Sequence, residues 1–143
     1  MLEDTETKAC LRMLVADDNP VIRELLESML DILEYPEVQL VSNGREAVEA
    51  CREQMFDLIL MDCQMPVMDG YDATRCIRTI EATNIRTDNR LPARIIAITG
   101  DPRNDNQELC REAGMNHFLS KPFTLAMLKS VLDSCLPMYR RSE

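Results

Sequence analysis

Short apolar runs alternate along this chain with segments of helical periodicity, and the alternation occurs five times. Each run has the length of a strand, and most lack the period-2 pattern of a strand with one face in water, which indicates burial on both faces. The predicted strands are Met13 to Asp17, Val38 to Ser42, Asp57 to Met61, Arg94 to Thr99 and His117 to Ser120.

One-sided apolar stripes follow each predicted strand and predict five amphipathic helices with polar outer faces. Glycine and proline fall at the predicted turns, and the polar stretch 83–92 is predicted as a surface loop. The stripes are Ile22, Leu25, Leu26, Met29, Leu30 and Leu33 in the first helix, Ala47, Val48 and Cys51 in the second, Ala73, Cys76, Ile77 and Ile80 in the third, Leu109, Cys110 and Ala113 in the fourth, and Leu125, Leu128, Val131, Leu132 and Cys135 in the fifth.

This alternation indicates an α/β fold, a doubly wound parallel sheet with helices on both faces, because parallel strands need crossover connections. We expect one domain over 12–136, with an N-terminal tail at 1–11 and a C-terminal tail at 137–143. Ligands of such sheets bind outside the carboxyl ends of the strands, so that edge is where a site is expected.

The net charge of the chain limits the classes of partner that it is expected to bind. The 143 residues include 25 acidic and 16 basic side chains, a net charge of −9, which disfavours nucleic acid and an anionic membrane surface. No apolar run approaches the roughly 18 residues of a membrane helix, and the acidic N-terminus does not resemble a signal peptide. We therefore expect a cytoplasmic domain that contacts no membrane.

The six cysteines contain no C-x-x-C pair, and the chain has a single histidine. A zinc site of the usual spacing is therefore disfavoured, and reduced thiols on the apolar stripes are favoured over disulfides. Cys63 adjoins a candidate site residue but has no basic neighbour in the sequence to lower its pKa, which favours an ordinary thiol.

Polar residues end four of the predicted strands and would meet at one edge of the sheet: Asp17, Asp18, Asp62, Thr99 and Lys121. Three carboxylates and one ammonium leave a formal charge of −2, which a divalent cation would neutralise. Hard oxygen ligands fit Mg²⁺ better than zinc or copper. A free carboxylate beside Mg²⁺, a lysine and a hydroxyl suits phosphoryl transfer, with Asp62 as the best candidate nucleophile.

Each of these residues also has an ordinary structural interpretation. Asp17 and Asp18 could be helix-capping acids, although Asn19 before Pro20 can cap the first helix alone. Taken singly, Lys121 could be a surface lysine, Thr99 a strand residue and Asp62 a turn carboxylate, so the hypothesis depends on their shared edge.

Four motifs in order make the chain resemble the response-regulator receiver domains of two-component signalling, over about residues 12–136. Two further stretches, Met61 to Pro66 and Ala113 to Asn116, resemble the receivers of hybrid sensor histidine kinases. The four motifs are Val15-Ala16-Asp17-Asp18-Asn19, Leu60 to Gly70, Ile98-Thr99 and Leu119-Ser120-Lys121-Pro122-Phe123.

This resemblance implies a flavodoxin-like fold with strand order 2-1-3-4-5. It implies that Asp62 is the phosphoacceptor and that Asp62, Asp18 and the backbone carbonyl of Gln64 ligate Mg²⁺ directly. Asp17 would act through a coordinated water. Thr99 and Lys121 would contact the phosphoryl oxygens.

The resemblance also implies a partner and a switch. The partner would be a histidine kinase or a histidine phosphotransfer domain, and the only reactions expected are self-phosphorylation and slow autodephosphorylation. Thr99 would move inward after phosphorylation and vacate space for Phe118, where related domains often carry tyrosine. Phe118 is equally well explained as a core residue of the fifth strand.

Other functions stay open from the residues. A pseudo-receiver that binds a partner without phosphorylation is the main alternative. A flavin carrier is disfavoured because no phosphate loop follows the first strand, and an aspartyl phosphatase because Gln64 replaces the acid expected two residues after the nucleophile. The domain could be a free regulator or the cytoplasmic part of a larger, membrane-bound hybrid kinase.

Overall fold

Helices and strands alternate from the first strand onward in residues 2–83, 91–101, 103 and 105–138, which the computed structural model describes. The strands are β1 (Arg12–Ala16), β2 (Glu37–Val41), β3 (Leu58–Asp62), β4 (Arg94–Thr99) and β5 (His117–Ser120). The helices are α1 (Leu2–Cys10), α2 (Pro20–Ile32), α3 (Gly44–Glu53), α4 (Gly70–Thr83), α5 (Gln107–Ala113) and α6 (Leu125–Cys135), and a 3₁₀ turn, Leu136–Met138, follows α6.

The five strands form one parallel sheet in the order β2-β1-β3-β4-β5, so the predicted fold class and strand order are confirmed. The bounds of β4 and β5 are as predicted. The other three strands are displaced by one residue, and Asp62 is therefore the last residue of β3 while Asp17 follows β1.

Apolar side chains fill both faces of the sheet. The helices α2 and α6 cover one face, and α3, α4 and α5 cover the other. Every residue of β3 is buried, as predicted for a strand covered on both faces. Two stripe residues lie outside the core, since Leu25 is 41% exposed and Leu109 is 40% exposed. Each precedes a buried residue and so lies about 100° around the helix from it.

Helix α1 occupies most of the segment that the sequence indicated only as a tail. Lys8 Nζ donates a hydrogen bond to the Leu33 carbonyl at 2.9 Å and lies 5.3 Å from the centre of the Tyr35 ring. These contacts dock α1 beside the amino-terminal end of β2. At the other terminus, residues 139–143 lie outside the described part of the chain.

The remaining predictions about the surface are met in part. The interior of the predicted loop, 84–90, lies outside the described residues, while Leu91 and Pro92 are exposed and Thr83 ends α4.

All six cysteines are free thiols, as expected. No helix in the described ranges combines the length and the apolar character needed to cross a membrane.

Candidate functional site: a carboxylate cluster at the sheet edge

Three aspartates converge at the carboxyl edge of the sheet. Asp17 and Asp18 follow β1, and Asp62 ends the neighbouring strand β3. One carboxylate oxygen from each lies within 4.8 Å of the others. Asp17 and Asp62 are buried, whereas Asp18 is exposed, so the cluster opens to solvent on the side of Asp18.

Local hydrogen bonds fix Asp17 in this cluster. Asn19 begins α2, since its side chain accepts a hydrogen bond from the Val21 N–H at 2.9 Å and Pro20 occupies the first helical turn. The interpretation of Asp17 as a helix cap is therefore unnecessary. Asp17 Oδ1 instead accepts from the Asn19 N–H at 2.9 Å, and the Arg23 guanidinium donates to the Asp17 carbonyl at 2.7 Å.

Lys121 brings its ammonium group to the two buried aspartates. Its Nζ lies 3.2 Å from Asp17 Oδ2 and 3.6 Å from Asp62 Oδ2. Its backbone N–H donates to the Thr99 carbonyl at 2.7 Å, which holds the loop after β5 against β4. Burial alone would lower the pKa of Lys121, but the carboxylates of Asp62 and Asp17 outweigh it and raise that pKa.

Burial disfavours the ionised form of the Asp62 carboxyl group. Loss of solvent and the nearby charge of Asp17 raise the pKa of Asp62 from its ordinary value of 3.8 to about 7. Lys121 and a hydrogen bond from the Gln64 N–H, at 3.2 Å from Asp62 Oδ1, act in the opposite direction. One lysine therefore compensates the acidic cluster only partly.

The donor set suits a hard divalent cation. Asp17 Oδ2 is fully buried and accepts no well-directed hydrogen bond, although the Lys121 ammonium lies 3.2 Å away. A buried carboxylate oxygen in that state is costly unless a further positive charge satisfies it. Carboxylate oxygens around a site open on one side match the preferences of a cation that keeps several waters.

The raised pKa of Asp62 predicts a pH-dependent stability in metal-free protein. Between about pH 3.8 and about pH 7 the folded protein holds a proton on Asp62 that the unfolded chain has lost. The free energy of unfolding therefore falls as pH rises through this window, by at most about 1.4 kcal/mol per pH unit for one group. Urea unfolding followed by circular dichroism would measure it.

Asp62→Asn is the reference for this measurement, because it keeps the shape of the side chain and removes its titrating group. The wild-type protein should lose stability relative to the variant from about pH 4 to about pH 7. Adding a divalent cation should restore stability to the wild type at neutral pH by mass action. Parallel profiles for the two proteins would contradict the raised pKa.

A further buried carboxylate, Asp105, lies next to this cluster and was not predicted from the sequence. It is completely buried. Thr99 Oγ1 donates to Asp105 Oδ2 at 2.7 Å, while the Tyr71 hydroxyl and the Gln64 amide donate to Asp105 Oδ1 at 2.6 and 3.0 Å. Burial, and then the bond to Asp105, raise the pKa of Tyr71, so that hydroxyl keeps its proton.

Phe118 lies apart from the carboxylates, on β5. Its ring is half-buried and packs against the apolar layer under α3, α4 and α5. It also lines a cleft of about 240 Å³ between α5 and β5. This position is compatible with both sequence interpretations, a core residue and an aromatic that changes its packing.

Cys63, next to Asp62, is a buried thiol. Burial raises the pKa of Cys63 above its ordinary value, and its sulfur lies 4.0 Å from that of Cys110. A reactive cysteine needs the opposite, a lowered pKa and access to solvent. These features favour the structural role expected from the sequence.

Gly70 supports the backbone of Asp62, and a side chain there would disturb it. A Cβ at Gly70 would overlap the Asp62 carbonyl oxygen, whereas at Gly100 the nearest atom is Lys121 Cδ at 3.7 Å. Gly70→Ala should therefore destabilise the fold by about 1 to 3 kcal/mol, a typical cost of overpacking. Gly100→Ala should be neutral or stabilising by up to about 1 kcal/mol. Chemical denaturation of both variants checks the contrast, and equal stabilities would contradict it.

Comparison with known proteins assigns the chain to a family. The model of the response regulator receiver domain matches residues 13–133, and the chain belongs to this family. A curated relative, hybrid signal transduction histidine kinase E of Dictyostelium discoideum, is 38% identical over 120 residues. That match covers 83% of this chain but 7% of the relative, so the chain spans a small part of the length of such proteins.

Solved structures give the same assignment. The receiver domain of sensor histidine kinase PA1611 from Pseudomonas aeruginosa, which has a magnesium ion in its active-site cleft, aligns with a TM-score of 0.75 and 40% identity over 90% of this chain and 99% of that one. The receiver domain of Ssk1 from Saccharomyces cerevisiae, crystallised with the histidine phosphotransfer protein Ypd1, gives 0.82 and 29% identity over 93% of each chain.

Proposed function

We propose that this receiver domain accepts a phosphoryl group onto the side chain of Asp62. The observation that carries the proposal is the contact of Lys121 with two buried carboxylates at the carboxyl edge of the sheet, Asp17 at 3.2 Å and Asp62 at 3.6 Å. Asp62 ends β3 beside a cluster that opens toward solvent, so a phosphoryl donor can approach it.

In the transfer step, an Asp62 carboxylate oxygen attacks the phosphorus of a phosphohistidine. The new O–P bond forms as the P–N bond breaks, and the electron pair of the P–N bond returns to the imidazole nitrogen. The imidazole takes up one proton and leaves neutral, while Asp62 becomes an acyl phosphate. The ammonium of Lys121 already lies beside Asp62, where it would stabilise charge on the phosphoryl oxygens.

We propose Mg²⁺ as the cation of this site, held directly by Asp18, Asp62 and the backbone carbonyl of Gln64, with Asp17 acting through a water. When bound, Mg²⁺ supplies positive charge that offsets the charge on the transferring phosphoryl group. The buried Asp17 Oδ2, which accepts no well-directed hydrogen bond, supports a cation here. The related PA1611 receiver was crystallised with magnesium in its cleft.

The consequence of phosphorylation would be a change of conformation read at the face formed by α5, β5 and α6. The phosphoryl group would draw the Thr99 hydroxyl toward it, and Phe118 would repack into the space that opens. Thr99 ends β4 and Phe118 lies on the paired strand β5, so a shift at one is transmitted through a continuous sheet.

The donor would be a histidine kinase or a histidine phosphotransfer domain. The Ssk1 receiver was solved in complex with such a phosphotransfer protein, and the matched curated relative is a hybrid histidine kinase. We infer that this domain, with the bounds 12–136, acts at a receiver step of a phosphorelay in the cytoplasm. The presence of all five site residues argues against a pseudo-receiver.

Labelling with a small acyl phosphate tests the proposal without a cognate kinase. The protein is incubated with the acyl phosphate and Mg²⁺, and its intact mass is measured. One phosphoryl group should be added, removed by hydroxylamine as an acyl phosphate is, and absent when a chelator replaces Mg²⁺. Peptide mapping should place the label on the segment that contains Asp62. No label, or a label stable to hydroxylamine, would overturn the proposal.

A further inference from the structure

Asp105 collects hydrogen bonds from three side chains, and its two oxygens have different partners. One oxygen, Oδ2, accepts from the Thr99 hydroxyl at 2.7 Å. The other, Oδ1, accepts from the Tyr71 hydroxyl at 2.6 Å and the Gln64 amide at 3.0 Å. Because Asp105 is completely buried, these partners replace the water that a carboxylate would otherwise bind.

The position of Asp105 does not depend on Thr99. Its backbone N–H donates to the Asp101 carbonyl at 2.9 Å, and its Oδ1 bonds tie it to α4 through Tyr71 and to the loop after β3 through Gln64. The Asp105 carboxylate is thus a fixed acceptor between two loops of the site. The hydrogen bond from Thr99 could therefore break while the Asp105 carboxylate stays in place.

A threonine hydroxyl has a single proton to donate. In this structure that proton is given to Asp105 Oδ2, and the Thr99 oxygen itself accepts from the Asp101 N–H at 3.2 Å. A phosphoryl group on Asp62 would need the same proton for its own hydrogen bond with Thr99. The two acceptors therefore exclude each other.

We propose that Asp105 is a positioning residue that holds the Thr99 hydroxyl in the unphosphorylated arrangement and competes for it with the phosphoryl group on Asp62. The proposal rests on the proposed function of Asp62. A hydrogen bond to a buried carboxylate is charge-assisted and stronger than one between neutral groups, so Asp105 raises the threshold for the phosphorylated arrangement. When Thr99 moves away, Asp105 Oδ1 keeps its hydrogen bonds from Tyr71 and Gln64. These bonds limit the free-energy cost of losing the bond from Thr99.

The test measures binding of beryllofluoride, BeF₃⁻, whose tetrahedral beryllium and three fluorides take the place of phosphorus and its terminal oxygens. Its apparent Kd in the presence of Mg²⁺ is measured by calorimetry for the wild type, Asp105→Asn and Asp105→Ala. Asp105→Ala should bind BeF₃⁻ about tenfold more tightly, since loss of a charged hydrogen-bond partner has at least this effect on an equilibrium. Asp105→Asn, which keeps a neutral acceptor, should bind several-fold more tightly.

A matched control and a folding check accompany these variants. Asp57 is also buried, and it accepts a hydrogen bond from the Arg12 N–H at the opposite end of β3, so Asp57→Asn should leave the BeF₃⁻ affinity unchanged. Asp105→Ala leaves Tyr71 and Gln64 without their acceptor and could unfold. Asp105→Asn keeps the shape of the side chain, and its result alone can overturn the proposal.

Repeating the comparison in a Thr99→Val background separates positioning from general loosening of the loop. If Asp105 acts through the Thr99 hydroxyl, Asp105→Asn should not tighten BeF₃⁻ binding once that hydroxyl is absent. An unchanged or weaker affinity of Asp105→Asn in the wild-type background would overturn the role of Asp105. The same gain in the Thr99→Val background would also overturn that role. Neither result would overturn the proposed function of Asp62. A wild type that binds no BeF₃⁻ and takes no phosphoryl label would overturn the proposed function as well.

Discussion

Replacing Asp62 with asparagine is expected to abolish phosphoryl transfer to this domain. The amide nitrogen and oxygen of asparagine are poor nucleophiles, and the variant removes one of the two buried carboxylates that contact Lys121. The phosphoryl label from an acyl phosphate should fall below detection in intact mass. The variant should stay folded, because burial and the charge of Asp17 both disfavour the ionised carboxylate of Asp62. Asparagine carries no charge at this position.

Asp57→Asn is the matched control for this result, since Asp57 immediately precedes β3, at the opposite end from Asp62, and is likewise buried. Its labelling should equal that of the wild type. A hydroxylamine-labile label that survives in Asp62→Asn at wild-type stoichiometry would place the acceptor elsewhere and would refute the assignment of Asp62.

Lys121→Met is expected to slow phosphorylation by about 100-fold to 1,000-fold, the usual effect of removing one preorganised group that stabilises charge in a transition state. Methionine keeps much of the length of the side chain and removes the ammonium that lies 3.2 Å from Asp17 and 3.6 Å from Asp62. The rate of labelling by an acyl phosphate, followed by mass at several times, measures the effect.

The control for Lys121→Met is Lys129→Met, because Lys129 pairs with Asp133 on the exposed face of α6. An exposed pair of this kind contributes little to stability and lies outside the site, so labelling should proceed at the wild-type rate. The variant Lys121→Met should also raise the pKa of Asp62 further, since Lys121 lowers it in the wild type. Equal rates for the two lysine variants would exclude a role of Lys121 in transfer.

Most of the fold follows from periodicity along the chain. Buried parallel strands read as continuous apolar runs and helices as one-sided stripes, so Leu58 to Met61 and the stripe of α2 were found directly. Helix α1 was not, because its segment is mostly polar and its docking depends on Lys8 reaching the Leu33 carbonyl. Such a contact joins elements that are distant in sequence and leaves no periodic signal.

The site was predictable to the extent that topology gathers the ends of strands. Asp17, Asp62 and Lys121 end or follow strands, and a parallel sheet brings those positions to one edge. Asp105 and Tyr71 carry no such mark, since one lies in a polar loop and the other in the first turn of α4. Their meeting depends on how the loop after β4 folds over the edge of β3.

The docking of α1 places this helix at the end of the sheet opposite the aspartate cluster. Helix α1 leads into the amino-terminal end of β1 and rests against the α2–β2 turn, whereas the carboxylates gather at the opposite pole of the sheet. A dye, an affinity handle or a fused protein joined ahead of α1 would therefore sit on the far side of the molecule from an incoming donor. The domain can be immobilised through that end with its reactive pole facing free solution.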